Sequence, residues 1–326
     1  MNTNIDMNEL ERRRSKLTRG YDLVASYRMR ELGYGTPPEY RSRWRRMAAM
    51  LEYQFLPHYF GTPPDWRLGL RQFGGRRTLP DFCVIGPIKS GSSDLAVSLM
   101  LHPNVMTPLA KEFPIGDAES WRIFYPTEDE KRRHAERHGV ALAPYLAPFM
   151  HSMLLIDALH RARPDAKIVL TLRDPVERTY SHWKWDMFLS GKKRAETLPF
   201  LSTFSAYVDT ALEVYPEHAM YSACGASALQ TSIYWKSVGY WREKFGAENV
   251  MVADMGEYFS DRNGLLRKIQ EFVGLPHAEI PSPKVKVNEN PIRVPPADAA
   301  SKAKLKAFFE PHNQKLWDLI GKRFAW

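Results

Sequence analysis

The stretch Asp81-Phe82-Cys83-Val84-Ile85-Gly86-Pro87-Ile88-Lys89-Ser90-Gly91-Ser92-Ser93-Asp94-Leu95 decides the fold class. Phe82 to Ile85 is a short apolar run of the kind a buried parallel strand uses. A loop of small residues follows, then a helical pattern of Leu95, Val97, Leu99 and Met100. Strand, small-residue loop and helix start make a phosphate cradle, because loop N–H groups and the positive helix end point at one spot. Gly86 and Gly91, with four residues between them, fit the spacing of the nucleotide-binding P-loop. The lysine does not fit. A Walker-type loop needs Lys directly after the second glycine; here Ser92 and Ser93 follow Gly91, and Lys89 stands two residues before it. The loop can hold a phosphate, but its cation meets a different atom of the ligand.

Further along, Lys167 to Leu172 reads as a continuous apolar strand that ends in Arg173. Asp174 suits a helix N-cap and Pro175 the first helical position, so a helix carrying Arg178 and Ser181 follows. Ser181 is about two turns into that helix and shares a face with its start. An arginine at a strand's carboxyl end and a hydroxyl on the next helix can bind one phosphate together, bidentately on the arginine side. The carboxyl edge of a parallel sheet is also where α/β proteins place ligands.

These two stretches carry a resemblance. Lys-Ser-Gly-Ser-Ser-x-Leu (Lys89 to Leu95) resembles the 5′-phosphosulfate loop of sulfotransferases, with serines in place of the usual threonines. Arg173-Asp174-Pro175 through Arg178 and Ser181 resembles their 3′-phosphate motif. Those enzymes use 3′-phosphoadenosine 5′-phosphosulfate (PAPS) as cosubstrate. The resemblance implies that Gly91, Ser92 and Ser93 bind the 5′-phosphate, that Ser90 belongs to the same cofactor-binding loop, and that Arg173 and Ser181 contact the 3′-phosphate. It implies that Lys89 faces the bridging oxygen, where charge grows as the sulfuryl group departs. The pair Lys111-Glu112 resembles one in glycosaminoglycan-modifying sulfotransferases, although Phe113-Pro114-Ile115-Gly116 departs from the usual aromatic run. Its glutamate is the candidate base, since a sugar hydroxyl is a poor nucleophile until its proton leaves.

Softer blocks agree. Tyr234, Tyr240-Trp241, a strand from Asn249, Glu257 and Phe272-Val273-Gly274-Leu275 resemble a largely structural region of carbohydrate sulfotransferases. A loop bearing Lys284 and Lys286, ahead of a helix with Leu305, Phe308, Phe309, Pro311 and Asn313, resembles the polysaccharide-sulfating branch. There the loop lies near the nucleotide, which makes Lys284 and Lys286 candidates for neutralising it.

Between these motifs Val105-Met106 could start a strand, residues 127–138 read as a charged solvated helix, and Ala143-Pro144-Tyr145-Leu146 opens an apolar helical segment. Residues 183–231 read as irregular and cover the site by analogy.

The 326 residues carry a net charge of +9, and residues 1–80 hold 15 Lys/Arg against 8 Asp/Glu. The basic character therefore sits mainly in that segment, which has helical stretches at residues 9–30 and 41–56 separated by a Gly-Pro turn signal at residues 33–38. It can attract polyanions or acidic membrane surfaces. No apolar run approaches the roughly 20 residues a bilayer span needs, and the charged N-terminus does not read as a signal peptide. Cys83 and Cys224 make neither a disulfide framework nor a metal site. A cytoplasmic protein is expected.

The expectation is an α/β fold: a P-loop-like parallel sheet flanked by helices over residues 81–326, with a basic helical extension over residues 1–80. The expected reaction is sulfuryl transfer from PAPS to a hydroxyl of a carbohydrate acceptor, an anionic polysaccharide included, with no metal and no nucleic-acid partner. The alternatives are a sulfotransferase for a small molecule or glycolipid, a P-loop phosphotransferase, and a non-catalytic polyanion-binding protein. The oligomeric state and the acceptor stay open.

Overall fold

The computed structural model describes residues 7–56, 63–112, 117–218, 220, 227–280, 290 and 292–326. Three helices come first: α1 (Met7–Glu31), α2 (Arg43–Tyr53) and α3 (Asp65–Arg71). Strand β1 (Phe82–Ile85) leads into α4 (Ser92–Met100), then α5 (Ala118–Trp121) and α6 (Glu128–His138). Strand β2 (Pro144–Ala147), α7 (Met153–Ala162), β3 (Lys167–Leu172) and α8 (Pro175–Ser190) follow. The chain continues through α9 (Lys192–Thr197), α10 (Phe204–Val214), α11 (Trp235–Phe245), β4 (Val250–Asp254), α12 (Met255–Ser260), α13 (Arg262–Val273) and α14 (Ala299–Ile320).

The four strands form one sheet in the order β2-β1-β3-β4, with every pairing parallel. Phe82 and Val84 point to one face of β1 and Cys83 and Ile85 to the other, the strand's two-residue alternation. Both faces are covered. Cys83, Ile85, Tyr145, Ile168 and Leu170 pack with Leu155 and Leu159 of α7 and Trp241 and Phe245 of α11. Phe82, Val84 and Val169 pack with Leu95 and Leu99 of α4 and Leu265 and Ile269 of α13. This double covering is why β1 and the centre of β3 read as apolar runs. Cys83 is a fully buried core residue. A third apolar cluster joins Trp183 of α8, Phe204 and Tyr207 of α10 and Phe309 of α14.

Three readings of the sequence are corrected. Val105 does not start a strand; it makes one bridge with Leu142. Pro144 to Ala147 is edge strand β2, paired with β1, and the helix begins only at Met153, where Ser152 caps it by accepting from the Leu155 N–H. Proline can open this strand because its missing N–H costs little at a sheet edge. The described part of residues 183–231 is largely helical: α8 runs on to Ser190, and α9 and α10 follow. The charged stretch 127–138 is helical from Glu128 to His138, and Thr127, its N-cap, closes a capping box with Glu130.

Candidate active site

The loop after β1 lies at the carboxyl edge of the sheet, between β2 and β3. Its backbone is tied to the last residue of β2 and the segment after it, since Gly86 N–H donates to Ala147 O at 3.3 Å and Met150 N–H to Gly86 O at 3.4 Å. A Cβ at residue 86 would fall 2.2 Å from Thr171 Oγ1 and 2.4 Å from Ser90 Oγ, so only glycine lets the loop close on β3. Ser90, fully buried, shares a 3.1 Å hydrogen bond with Thr171 of β3. Lys89 has φ of 71° and Gly91 of 95°, two left-handed residues that turn the chain into α4. A non-glycine residue in that conformation is costly and marks a functional turn. Gly91 is the N-cap of α4 and supplies no side-chain cap, so the helix's first N–H groups face the loop.

Cations converge there. Arg173, one residue past β3, donates from Nη1 to Lys89 O at 3.4 Å. Its guanidinium lies 6.0 Å from the Phe259 ring, and Phe259 also borders Gly91. Burial pushes the Arg173 pKa down from its ordinary value, while Glu177, Tyr234 and Asp174 act to raise it. Tyr234 Oη donates to Arg173 O at 2.9 Å and fixes the backbone. Lys111, 2% exposed, donates to Ser93 Oγ at 3.0 Å and to Glu112 Oε1 at 2.5 Å. A lysine buried that deeply needs such a partner. The Lys89 ammonium lies 4.2 Å from the centre of the Trp185 ring. Trp185 follows Ser181 by four residues on α8, so half-buried Ser181 shares the face that meets Lys89.

Sequence reasoning placed Arg178 on α8 without giving it a task. Its side chain is fully buried. Nε donates to Ser232 Oγ at 2.7 Å, and Nη1 to Ile88 O at 2.6 Å and to His182 Nδ1 at 3.2 Å. Nη2 donates to Ala228 O at 2.5 Å and to Thr231 Oγ1 at 2.7 Å. It therefore joins the loop after β1 to the 228–232 segment. His151 also holds that segment, with Nε2 at 2.9 Å from Thr231 O and Nδ1 at 2.7 Å from Ser237 Oγ. Burial pushes the His151 pKa down to about 4, so the ring is neutral at pH 7. Behind α4, Tyr258 Oη donates to Asp94 Oδ2 at 2.6 Å.

Of the residues singled out in the sequence, Lys89, Ser90, Gly91, Ser92, Ser93, Arg173 and Glu112 gather around this loop, Glu112 through its pair with Lys111, while Ser181 stands on α8 one turn before Trp185. Lys284 and Lys286 lie outside the described residues, as do Phe113 to Gly116 and Cys224. Lys111, Trp185, Thr171 and Arg178 are additions. A signal existed for Arg178, the second arginine of the helix motif, and for Lys111 beside Glu112; Thr171 is indistinguishable from a strand residue. Among the described residues no group of His, Cys, Asp and Glu could hold a metal ion.

The residues present fit an anionic phosphate-bearing ligand: a helix start without a side-chain cap, a loop closed by Gly86, and the cations of Lys89, Lys111 and Arg173 on or beside that loop.

The sulfotransferase domain family model matches residues 79–287. The chain is 26% identical over 257 residues to carbohydrate sulfotransferase 15 of Mus musculus, covering 61% of this chain and 44% of that protein. It is 22% identical over 289 residues to heparan sulfate glucosamine 3-O-sulfotransferase 3A1 of Homo sapiens, covering 81% and 66%. The chain thus spans 44% to 66% of the length of these curated relatives. The crystal structure of a sulfotransferase from Alicyclobacillus acidocaldarius superposes with a TM-score of 0.53 at 24% identity, covering 76% of this chain and 98% of that one, and shares the fold.

Proposed function

The chain belongs to the sulfotransferase domain family, and from that membership we propose that it transfers a sulfuryl group from PAPS to a hydroxyl of a carbohydrate acceptor. In this reading residues 81–326 form the catalytic unit and residues 1–80 an extension of it. The observation that carries the proposal is the loop from Lys89 into α4, where Arg173 donates to Lys89 O and Lys111 to Ser93 Oγ, with Glu112 beside Lys111 and the Lys89 ammonium over Trp185.

PAPS supplies the activated sulfuryl group and a good leaving phosphate. The chain's own residues do the rest. The N–H groups of Gly91 to Ser93 and the hydroxyls of Ser92 and Ser93 hold the 5′-phosphate, with Ser90 propping the loop on Thr171, and Arg173 and Ser181 hold the 3′-phosphate. Lys284 and Lys286 are assigned to the nucleotide on the resemblance alone. Glu112 takes the proton of the acceptor hydroxyl as its oxygen bonds to sulfur, and Lys89 compensates the charge left on the phosphate oxygen as the S–O bond breaks. Charge that exists only in the transition state is where a fixed cation raises the rate. Lys111 orients Glu112 toward the loop.

Glu112→Gln keeps the side chain's size and removes its basicity. Turnover is expected to fall about 100-fold or more, the usual contribution of a general base, with acceptor KM within a few-fold. Full activity in the Gln variant across the pH range would take the base role from Glu112.

The test of the whole reading is transfer of radiolabelled sulfate from PAPS to a panel of desulfated glycosaminoglycans, simple phenols and glycolipids. Label in polysaccharide is the expected result. Label only in phenols or glycolipids would refute the carbohydrate assignment.

A further inference from the structure

Helices α2 and α3 carry an apolar ridge that the rest of the described chain does not cover. At about 100° per residue, Trp44, Met47 and Leu51 fall within about 60° of one another on α2. Trp44 is 77% and Leu51 65% exposed. Ala49, on the other side of the helix, is buried, and a cavity of about 410 Å³ lined by Leu23, Val24, Ala49 and Tyr53 separates α2 from α1 there. The ridge continues through Phe55, whose ring centre is 5.6 Å from that of Trp66. Trp66 and Leu70 extend it along α3 one turn apart, and Phe73, 75% exposed, continues it two residues past the helix end.

The ridge is held in place. Arg67 donates to Gln54 O and Leu56 O at 3.0 and 2.8 Å, locking α3 onto the end of α2. Arg71 donates to Ile123 O and Tyr125 O at 2.6 and 2.5 Å, locking α3 onto the body of the protein.

Its charge is one-sided. Arg43 and Arg45, both exposed, lie about 100° to either side of Trp44, and Arg41 is exposed just before the helix. Between residues 41 and 73 the sequence has six arginines and two carboxylates. One of the two, Glu52, is paired with Arg19 at 2.6 Å. A second copy of the chain, docked ridge to ridge on a twofold axis, would bring these arginines against their own counterparts. An anionic bilayer surface answers both features. Apolar side chains with an aromatic at the headgroup level sink into the interface, and arginines on both flanks meet lipid phosphates and carboxylates.

We propose that this ridge docks the protein peripherally on an anionic membrane surface, with α2 lying in the plane of the interface. No described helix is long and apolar enough to cross a membrane.

The test is co-sedimentation of the full chain with phosphatidylcholine vesicles, with and without phosphatidylserine, at low and high salt. Binding is expected only with phosphatidylserine, and salt should weaken it. Trp44→Ser with Leu51→Ser, and separately Arg43→Glu with Arg45→Glu, should each reduce binding about tenfold or more. PAPS-product affinity should be unchanged in both variants, which shows that they remain folded. Three results would overturn the proposal. They are absence of binding to anionic vesicles, binding that both double variants retain, and self-association without vesicles that Trp44→Ser with Leu51→Ser abolishes.

Discussion

Lys89→Ala is expected to lower kcat by about two to three orders of magnitude, the range seen when one preorganised group facing developing charge is removed. Affinity for 3′-phosphoadenosine 5′-phosphate should stay within several-fold of the parent. The split follows from where the residue stands. Nucleotide binding is shared among the N–H groups at the start of α4, the serine hydroxyls and Arg173, so one ammonium adds a modest part. The sulfuryl transfer, by contrast, needs a cation where the leaving oxygen gains charge. Lys89 is held by a left-handed backbone, and its ammonium rests on the Trp185 ring. A cation–π contact of that kind is worth about 0.5–2 kcal/mol, little enough for the lysine to exchange the ring for an anion. Rapid-quench turnover and calorimetry on the same preparation separate the two effects. Turnover near the parent's would remove Lys89 from the chemical step.

Arg178→Met should be the most destabilising single change in the site region. The guanidinium is fully buried and donates to Ser232, Ile88, His182, Ala228 and Thr231 among the described residues. Methionine fills much of the same volume and satisfies none of these partners. Buried acceptors left unmet cost about 1–3 kcal/mol each, and local relaxation recovers part. A net loss of about 3–5 kcal/mol follows. The melting temperature should drop by about 10 °C for a domain of this size. Arg178→Lys should rescue little, because a single ammonium cannot span partners on both sides of a planar fork. Below the melting transition, Arg178→Met should also loosen nucleotide binding, since Ile88 O lies in the loop after β1. A melting temperature within about 2 °C of the parent would contradict the role assigned to Arg178.

Some of this was legible in the sequence and some was not, for physical reasons. Strands β1 and β3 could be read because each is buried on both faces and ends in a chemically distinctive residue or loop. The start of α8 could be read because Asp174 and Pro175 signal a helix N-terminus from local geometry alone, and Asp174 does accept from the Val176 N–H. Strand β2 could not. Four residues opening with proline, ahead of an apolar helix, give no period long enough to separate strand from helix, and only the pairing with β1 makes them a strand. The helices after Trp183 were hidden by aromatic and small residues whose partners are distant in sequence, such as Phe309 against the α8–α10 cluster. In the site, motif residues were visible because their type and spacing are demanded by phosphate chemistry. Thr171 was not, because its hydroxyl matters only through Ser90 across the strand pair. Trp185 gained meaning only once Lys89 was seen to lie over it.

A calorimetric titration with 3′-phosphoadenosine 5′-phosphate is the sharpest test of the PAPS assignment, with adenosine 5′-phosphate and ATP plus Mg²⁺ as controls. The expected result is micromolar binding that requires the 3′-phosphate and is unchanged by EDTA. Arg173→Ala should weaken it about 30- to 150-fold, equivalent to about 2–3 kcal/mol for a lost charged hydrogen bond. Binding that ignores the 3′-phosphate, or a preference for ATP with Mg²⁺, would contradict it and make the loop after β1 the site of a phosphotransferase.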